Sequence, residues 1–207
     1  MKLFYSPGAC SQAVHISLYE SGRPFEAVRV NLKEGEQFKP EFLKINPKSK
    51  VPAIARDDGS ILTECPALLF WVARTSPGAG LLPDDVEEQA RALEWMNFIS
   101  GSLHNGGFTR ILRAERFVGD AAHAPAASEK GKEDTVKFLK LAEEMLAGRD
   151  TALKSGHSVI DNYLFVMARW VPRTGKELAD FPNLKRLHDR VAAREGTKKA
   201  LAAEGLA

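Results

Sequence analysis

Short apolar runs alternate with stretches of helical spacing over the first 75 residues. Residues 2–5 form a short apolar run that ends at a Ser-Pro-Gly turn, and apolar side chains recur at helical spacing over residues 10–20. Residues 25–31 alternate with a period of two, which is typical of a second strand. Because a strand–helix–strand unit normally crosses over in the right-handed sense, the two strands are predicted to be parallel.

A hairpin is predicted next along the chain. Residues 51–55 and 61–62 are strand-like, and the turn-forming sequence Asp-Asp-Gly-Ser lies between them at 57–60. A short helical turn precedes the hairpin at 40–44, and a helix follows it at 64–74. The first part of the chain is therefore predicted to be α/β.

The pattern changes at the Ser-Pro-Gly-Ala-Gly stretch of residues 76–80, which is typical of a linker. No later segment alternates with period two. Long helices are predicted at 84–116 and 128–146, and they should form an antiparallel pair. Ser158 and Asp161 have the spacing of a capping box before an apolar run, so a deeply buried helix is expected there.

Two further helices are predicted near the end of the chain, one opening at Pro182 and one over residues 195–203. The predicted division is an α/β domain at 1–76, a linker at 77–86 and an all-helical domain at 87–207.

Composition excludes several classes of protein. The chain has 207 residues, 44% hydrophobic and 27% charged, which is ordinary for a folded globular protein. Its net charge of +2 lacks the strong excess of positive charge that is typical of nucleic-acid-binding proteins. No apolar run approaches the ~20 residues that span a bilayer, and we expect a cytoplasmic protein. The 2 cysteines are expected to be free thiols in a reducing compartment.

Cys10 is the sharpest chemical signal, because it follows a glycine turn at the first turn of a helix. The backbone N–H groups there have no partner within the helix and favour a thiolate. Cys10 is therefore either a reactive thiol or a small packed residue. The hydroxyl of Ser11 either donates to a bound sulfur or caps the helix.

Three further places have residues suited to binding. A proline at Val51-Pro52 belongs at a sheet edge, where the Val51 backbone can pair with an extended peptide. Glu64 before Cys65 either caps a helix or meets an amino group, and the N–H groups behind it suit a carboxylate. On the first long helix, Asn97 and His104 are two turns apart and should share a face, although a lone histidine is often structural.

These places together resemble a bacterial glutathione transferase, most closely of the beta class. The likeness runs from end to end. The segments that carry it are residues 5–11 (Tyr-Ser-Pro-Gly-Ala-Cys-Ser), 46–47, 51–53, 62–64, 94–99, 103–104, 158–165 and the tail 200–206. It implies a thioredoxin-like domain and a helical domain, glutathione bound as co-substrate in the cleft between them, no metal, and a homodimer.

The resemblance also implies roles for single residues. Cys10, with Ser11 and His104, is assigned to the catalytic group beside the glutathione sulfur. Val51 would pair with the cysteinyl backbone, and a cis bond to Pro52 would present it. The residues implied for binding the rest of glutathione are Tyr5, Glu64, Cys65 and Asn97.

Three functions remain open. The leading one is conjugation of glutathione to hydrophobic electrophiles, a detoxification activity, with an apolar pocket that includes Phe108, Ile111 and Leu112. The second is glutathione-dependent reduction of disulfides or peroxides through Cys10. The third is non-catalytic binding of glutathione or apolar ligands. We expect no nucleic-acid or membrane partner.

Overall fold

A computed structural model describes all residues from 1 to 207. The chain forms two compact units, one made of Met1–Pro83 together with Val191–Ala207, and one made of Asp84–Arg190. The division predicted from the sequence, with a linker at 77–86, does not include this return of the last residues to the first unit.

A four-stranded mixed sheet forms the centre of the first unit. Its strands are β1 (Lys2–Tyr5), β2 (Glu26–Arg29), β3 (Ala53–Ala55) and β4 (Ile61–Thr63). Their order is β2-β1-β3-β4, with β1 and β2 parallel and the other two pairs antiparallel. The predicted parallel pair and the predicted hairpin are both confirmed.

Nine α-helices accompany the sheet. They are α1 (Ser11–Ser21), α2 (Pro40–Leu43), α3 (Cys65–Arg74), α4 (Val86–Asn97), α5 (Thr109–Leu112), α6 (Ala124–Met145), α7 (Val159–Arg169), α8 (Pro182–Ala192) and α9 (Glu195–Glu204). Helix α7 is buried along almost its whole length, and its Ser158–Asp161 capping box is present as predicted. None of the helices has both the length and the apolar character that a membrane crossing requires.

The core of the first unit has two parts. One face of the sheet packs a cluster of Phe4, Val30, Phe42, Val51 and Ala53. Helix α1 buries all of its first eight residues and packs against α3 and α9. The start of α1 is thereby held by burial as well as by hydrogen bonds.

The long helix predicted over 84–116 is not uniform. Helix α4 continues into a π-helix at Phe98–Phe108, and α5 then ends before Arg113. Two glycines bring this segment close to α6: a Cβ at Gly107 would lie 2.7 Å from Thr135 Oγ1, and one at Gly131 would lie 2.9 Å from Arg110 Cβ. The close approach therefore requires that both positions lack a side chain.

Candidate functional site

The turn between β1 and α1 is held by its own hydrogen bonds. Gly8 adopts a left-handed φ of 69°, which glycine accepts without steric cost. The backbone N–H of Ala9 donates to the Ser6 carbonyl at 3.1 Å. The hydroxyl of Ser11 accepts from the Ser6 N–H at 3.1 Å and donates to the Ser6 carbonyl at 3.2 Å. Both ends of the turn are thus tied together just before the helix.

Cys10 is the half-buried residue that precedes α1, and its Sγ donates to the carbonyl oxygen of Val51 at 3.6 Å. Burial raises the pKa of the Cys10 thiol to about 12, and the charge of Glu64 acts in the same direction. The backbone N–H groups of Cys10 and Ser11 act in the opposite direction but are outweighed. The helix-end N–H groups thus favour the Cys10 thiolate as expected, but desolvation opposes it more strongly, which favours the packed alternative for this thiol.

Val51 lies where the chain enters β3, next to a cis bond to Pro52. The loop before it is held by Asn46, a buried residue whose Nδ2 donates to the Lys50 carbonyl at 2.6 Å. Its Oδ1 accepts from the Lys48 N–H at 3.1 Å. The sequence pattern predicts no role for Asn46, whereas in the structure its side chain holds the loop that leads to Val51.

Glu64 lies between β4 and α3 with a left-handed φ of 72°, which is rare for a residue with a side chain. Its side chain makes no cap to α3. Instead, its Oε1 accepts from Lys48 Nζ at 2.7 Å, and the same ammonium donates to Thr63 Oγ1 at 3.0 Å. Lys48 was missed at the sequence level, since nothing in the pattern places it opposite Glu64.

Cys65 is buried at the first residue of α3, and its Sγ donates to the Cys10 carbonyl at 3.6 Å. This contact and that of Cys10 with Val51 bring together three predicted segments: the turn before α1, the entry to β3 and the start of α3. All three belong to the first unit.

Two of the predicted site residues have structural partners instead. The Ser11 hydroxyl is fully buried and is engaged by Ser6 as both donor and acceptor, so it is not aimed at an incoming sulfur. Tyr5 is also buried, and its hydroxyl donates to the Ala203 carbonyl at 3.5 Å. The catalytic role of Ser11 and the binding role of Tyr5 thus gain no support from the geometry.

Asn97 and His104 belong to the second unit, and their contacts differ. Asn97 Nδ2 donates to the Leu93 carbonyl of its own helix at 2.8 Å. The His104 ring packs edge-on against Trp170, with centroids 5.2 Å apart, and its Nδ1 lies 3.3 Å from the Tyr163 hydroxyl. The expectation of a shared face assumed α-helical spacing. A π-helix has more residues in each turn, so seven residues no longer make two turns.

The predicted apolar pocket is not formed as expected. Phe108 is fully buried and packs edge-on against Trp170 at 5.5 Å, so it belongs to the core of the second unit. Ile111 and Leu112 remain partly exposed. Only these two of the three residues are available to line an open surface.

The first unit is chemically suited to a small peptide thiol. It offers backbone N–H groups at the start of α1 for a sulfur, a strand entrance at Val51 for a peptide backbone, and an exposed acid–base pair at Glu64 and Lys48 for a charged end. No group of three or more His, Cys, Asp or Glu side chains is arranged to hold a metal ion.

Comparison with known proteins assigns this arrangement to a family. The glutathione S-transferase N-terminal domain matches residues 7–75, and the glutathione S-transferase C-terminal domain matches residues 117–204. The chain is 34% identical to the glutathione S-transferase GstA of Escherichia coli O157:H7 over the full length of both proteins.

Solved structures agree with this assignment. A glutathione transferase homologue from Sulfitobacter with bound glutathione superposes with a TM-score of 0.93 at 30% identity, covering 100% of this chain and 98% of its own. The bacterial beta-class enzyme of Sphingomonas chungbukensis superposes with a TM-score of 0.87 at 36% identity, covering both chains completely. Two domain matches, a full-length relative and two superposable structures lead to one conclusion: the chain belongs to the glutathione S-transferase family.

Proposed function

We propose that the first unit binds glutathione along the line from Glu64 past Val51 to Cys10, and that the protein conjugates this thiol to hydrophobic electrophiles. The observation that carries the proposal is the pair of 3.6 Å contacts that join Cys10 to Val51 and Cys65 to Cys10. Glutathione is an extended tripeptide with a charged γ-glutamyl end and a thiol in the middle. The three joined segments offer a partner for each part.

The γ-glutamyl end carries both an ammonium and a carboxylate. The Glu64 carboxylate suits the ammonium, and it is exposed and held in place by Lys48 at 2.7 Å. The backbone N–H groups of Cys65 and Ala67 in the first turn of α3 suit the carboxylate. The left-handed backbone of Glu64 supports this role, because strained residues with side chains concentrate at binding sites.

The cysteinyl part of glutathione would lie antiparallel to the chain at Val51 and pair with its backbone in the manner of an added strand. Its sulfur would then lie near the start of α1. There the backbone N–H groups can donate hydrogen bonds to a thiolate, and the Cys10 S–H can do so once it turns away from the Val51 carbonyl. A fall of about two units in the glutathione pKa corresponds to about 2.7 kcal/mol of differential stabilisation, which a helix end and two donors can supply.

The raised pKa of Cys10 favours conjugation over the use of Cys10 as a redox thiol. A group with a pKa of about 12 keeps its proton at neutral pH. It is therefore a donor rather than a nucleophile. The attacking thiolate in this proposal is that of glutathione itself.

Other parts of the proposal rest on the family resemblance. We propose a cytoplasmic homodimer that takes part in detoxification. His104 and Asn97 are proposed to assist binding or catalysis, and Ile111 and Leu112 to contact the electrophile. The oligomeric state is tested by light scattering during size-exclusion chromatography. The electrophile is tested with a panel of aryl halides and unsaturated carbonyl compounds.

The central experiment measures binding and thiol ionisation together. The purified protein is titrated with glutathione by calorimetry, and the thiolate absorbance of the bound glutathione is followed against pH. We expect saturable binding and a glutathione pKa well below that of the free tripeptide, together with turnover of an aryl halide. Binding without a lowered pKa would support the non-catalytic alternative, and no binding would refute the proposed site.

A further inference from the structure

His104 and Tyr163 are in contact within the second unit. Tyr163 lies in the second turn of α7 and is fully buried, whereas His104 is half-buried in the π-helix Phe98–Phe108. His104 Nδ1 lies 3.3 Å from the Tyr163 hydroxyl oxygen, and the two rings meet edge to face with their centroids 6.5 Å apart. This contact fixes which nitrogen of His104 faces the buried helix.

A second aromatic ring limits how the imidazole can turn. The buried Trp170, which follows α7 directly, packs against the His104 ring with centroids 5.2 Å apart. Phe108 packs edge-on against Trp170 in turn, at 5.5 Å. A flip of the imidazole about its Cβ–Cγ bond would put a carbon atom where Nδ1 lies and would remove the contact with the Tyr163 hydroxyl. The hydroxyl and the Trp170 ring together therefore define one orientation of His104.

The chemistry of the two groups determines which of them donates the hydrogen bond. In a neutral imidazole one nitrogen carries the proton and the other is an acceptor. That unprotonated nitrogen is much more basic than a phenol oxygen, so the stronger hydrogen bond is the one in which the Tyr163 O–H donates to His104 Nδ1. A buried hydroxyl proton also requires an acceptor. With Nδ1 as the acceptor, the ring proton lies on Nε2, at the opposite edge of the imidazole.

We infer that Tyr163 is a positioning residue that sets the tautomer of His104, so that His104 offers an N–H donor at Nε2. The inference rests on the proposed function, in which His104 assists binding or catalysis. An N–H at Nε2 can donate to the glutathione sulfur and so favours its thiolate. In this tautomer Nε2 already holds a proton and Nδ1 accepts from Tyr163, so neither nitrogen is available as a base. The thiol proton passes to water, and His104 stabilises the thiolate without forming it.

The first test determines the tautomer by nitrogen NMR on protein that contains isotope-labelled histidine. The chain has 5 histidines, and the signals that His104→Gln removes identify those of His104. At a pH where the ring is neutral, we expect the wild-type proton on Nε2 and an Nδ1 signal displaced upfield by the hydrogen bond that it accepts. Tyr163→Phe keeps the buried ring and should abolish this displacement. A wild-type proton on Nδ1, or an Nδ1 signal that Tyr163→Phe leaves unchanged, would overturn the inference.

The second test asks whether His104 acts as a donor or as a base. Glutamine places an amide N–H near the position of Nε2, whereas asparagine reaches only that of Nδ1, and neither amide can take up a proton as a base. We expect His104→Gln to keep kcat with an aryl halide within about fivefold of the wild-type value, and His104→Asn to lower it by more than about tenfold. Tyr163→Phe should lower kcat by about three- to tenfold, with KM for glutathione changed by less than about twofold. Equal losses in the glutamine and asparagine variants would overturn the role as a donor.

Tyr19→Phe is the matched control, because it removes a phenol hydroxyl beside a different histidine. The Tyr19 ring stacks on His15 in the first unit, with centroids 5.2 Å apart. This variant should leave the His104 signals and kcat unchanged. If it lowered kcat as much as Tyr163→Phe does, the hydroxyl of Tyr163 would have no specific role and the inference would be overturned. A wild-type protein that does not bind glutathione would instead refute the proposed function, while the NMR measurement would still decide the tautomer.

Discussion

The thiol of Cys65 donates to the carbonyl oxygen of Cys10 at 3.6 Å, so the first residue of α3 is in contact with the residue that precedes α1. The same carbonyl also accepts from the Ala13 N–H at 3.2 Å within the first turn of α1. The two helix starts, whose positive dipole ends both favour anions, are therefore held beside each other. This juxtaposition suits a ligand that carries both a thiolate and a carboxylate.

The alkylation of Cys10 should depend on pH in the way that a thiol with a raised pKa requires. Burial raises its pKa to about 12, so at neutral pH only about one molecule in 10⁵ carries the thiolate. The Cys65→Ser variant leaves Cys10 as the single thiol and retains a donor to its carbonyl. We expect iodoacetamide to react slowly up to about pH 10 and faster only above it. A midpoint near the ordinary value of a free cysteine, which the unfolded variant should show, would contradict the assigned burial.

Cys10→Ser should preserve much of the conjugating activity. Serine is also a hydrogen-bond donor, and the backbone N–H groups at the start of α1 are unchanged. We expect kcat/KM with an aryl halide to stay within about tenfold of the wild-type value, while any disulfide reduction through this thiol disappears. Loss of both activities would favour the reductase alternative, in which Cys10 itself reacts.

Glu64→Gln should weaken glutathione binding. The variant cannot offer a full negative charge to the γ-glutamyl ammonium, and it releases Lys48 from its 2.7 Å ion pair. We expect KM for glutathione to rise by about tenfold, equivalent to about 1.4 kcal/mol, with little change in kcat. Glu87→Gln, on the exposed face of α4, is the matched control and should bind as the wild type does.

Asp161→Ala should destabilise the second unit. The buried carboxylate accepts from the backbone N–H of Ala152 at 2.9 Å and from the N–H and hydroxyl of Ser158 at 2.8 Å each. We expect the free energy of unfolding to fall by about 2–3 kcal/mol in urea denaturation. Glu133→Ala removes an exposed partner of Lys130 and should change it by less than about 0.5 kcal/mol. Equal effects would show that the capping box contributes no special stability.

Gly107→Ala should be destabilising by overpacking. Its Cβ would lie 2.7 Å from Oγ1 of Thr135, which is itself fully buried and donates to the Gly131 carbonyl. We expect a loss of about 1–3 kcal/mol in thermal or urea unfolding. Gly101, in the same π-helix, has open space at its Cβ position, so Gly101→Ala should be neutral or slightly stabilising. The difference between the two variants isolates the contact with α6.

Local patterns predicted most of the elements correctly. The period-two run before Asn31 became β2, parallel to β1, and the Asp-Asp-Gly-Ser turn joined β3 to β4 as a hairpin. The Ser158–Asp161 spacing also formed the expected capping box. In each case, neighbours in the sequence supply the partners, so the signal and its physical cause lie in the same short segment.

Features that depend on distant partners could not be predicted in this way. Apolar residues at helical spacing do not distinguish α-helix from the π-helix at Phe98–Phe108, and this changed the relation between Asn97 and His104. The buried position of Phe108 depends on Trp170, more than sixty residues later in the chain. The ion pair of Lys48 with Glu64 depends on how a loop folds back onto the sheet. Such contacts between distant residues can be identified only in the folded structure.

The return of Val191–Ala207 to the first unit has a consequence for biosynthesis. Met1–Pro83 emerges from the ribosome long before residues 191–207 have been synthesised. The sheet and α1 therefore have no α9 to pack against until the whole second unit has been made. The segment made first is thus completed last. The Gly8 N–H, which donates to the Glu204 carboxylate at 2.8 Å in the folded chain, therefore has no such acceptor until α9 has been made.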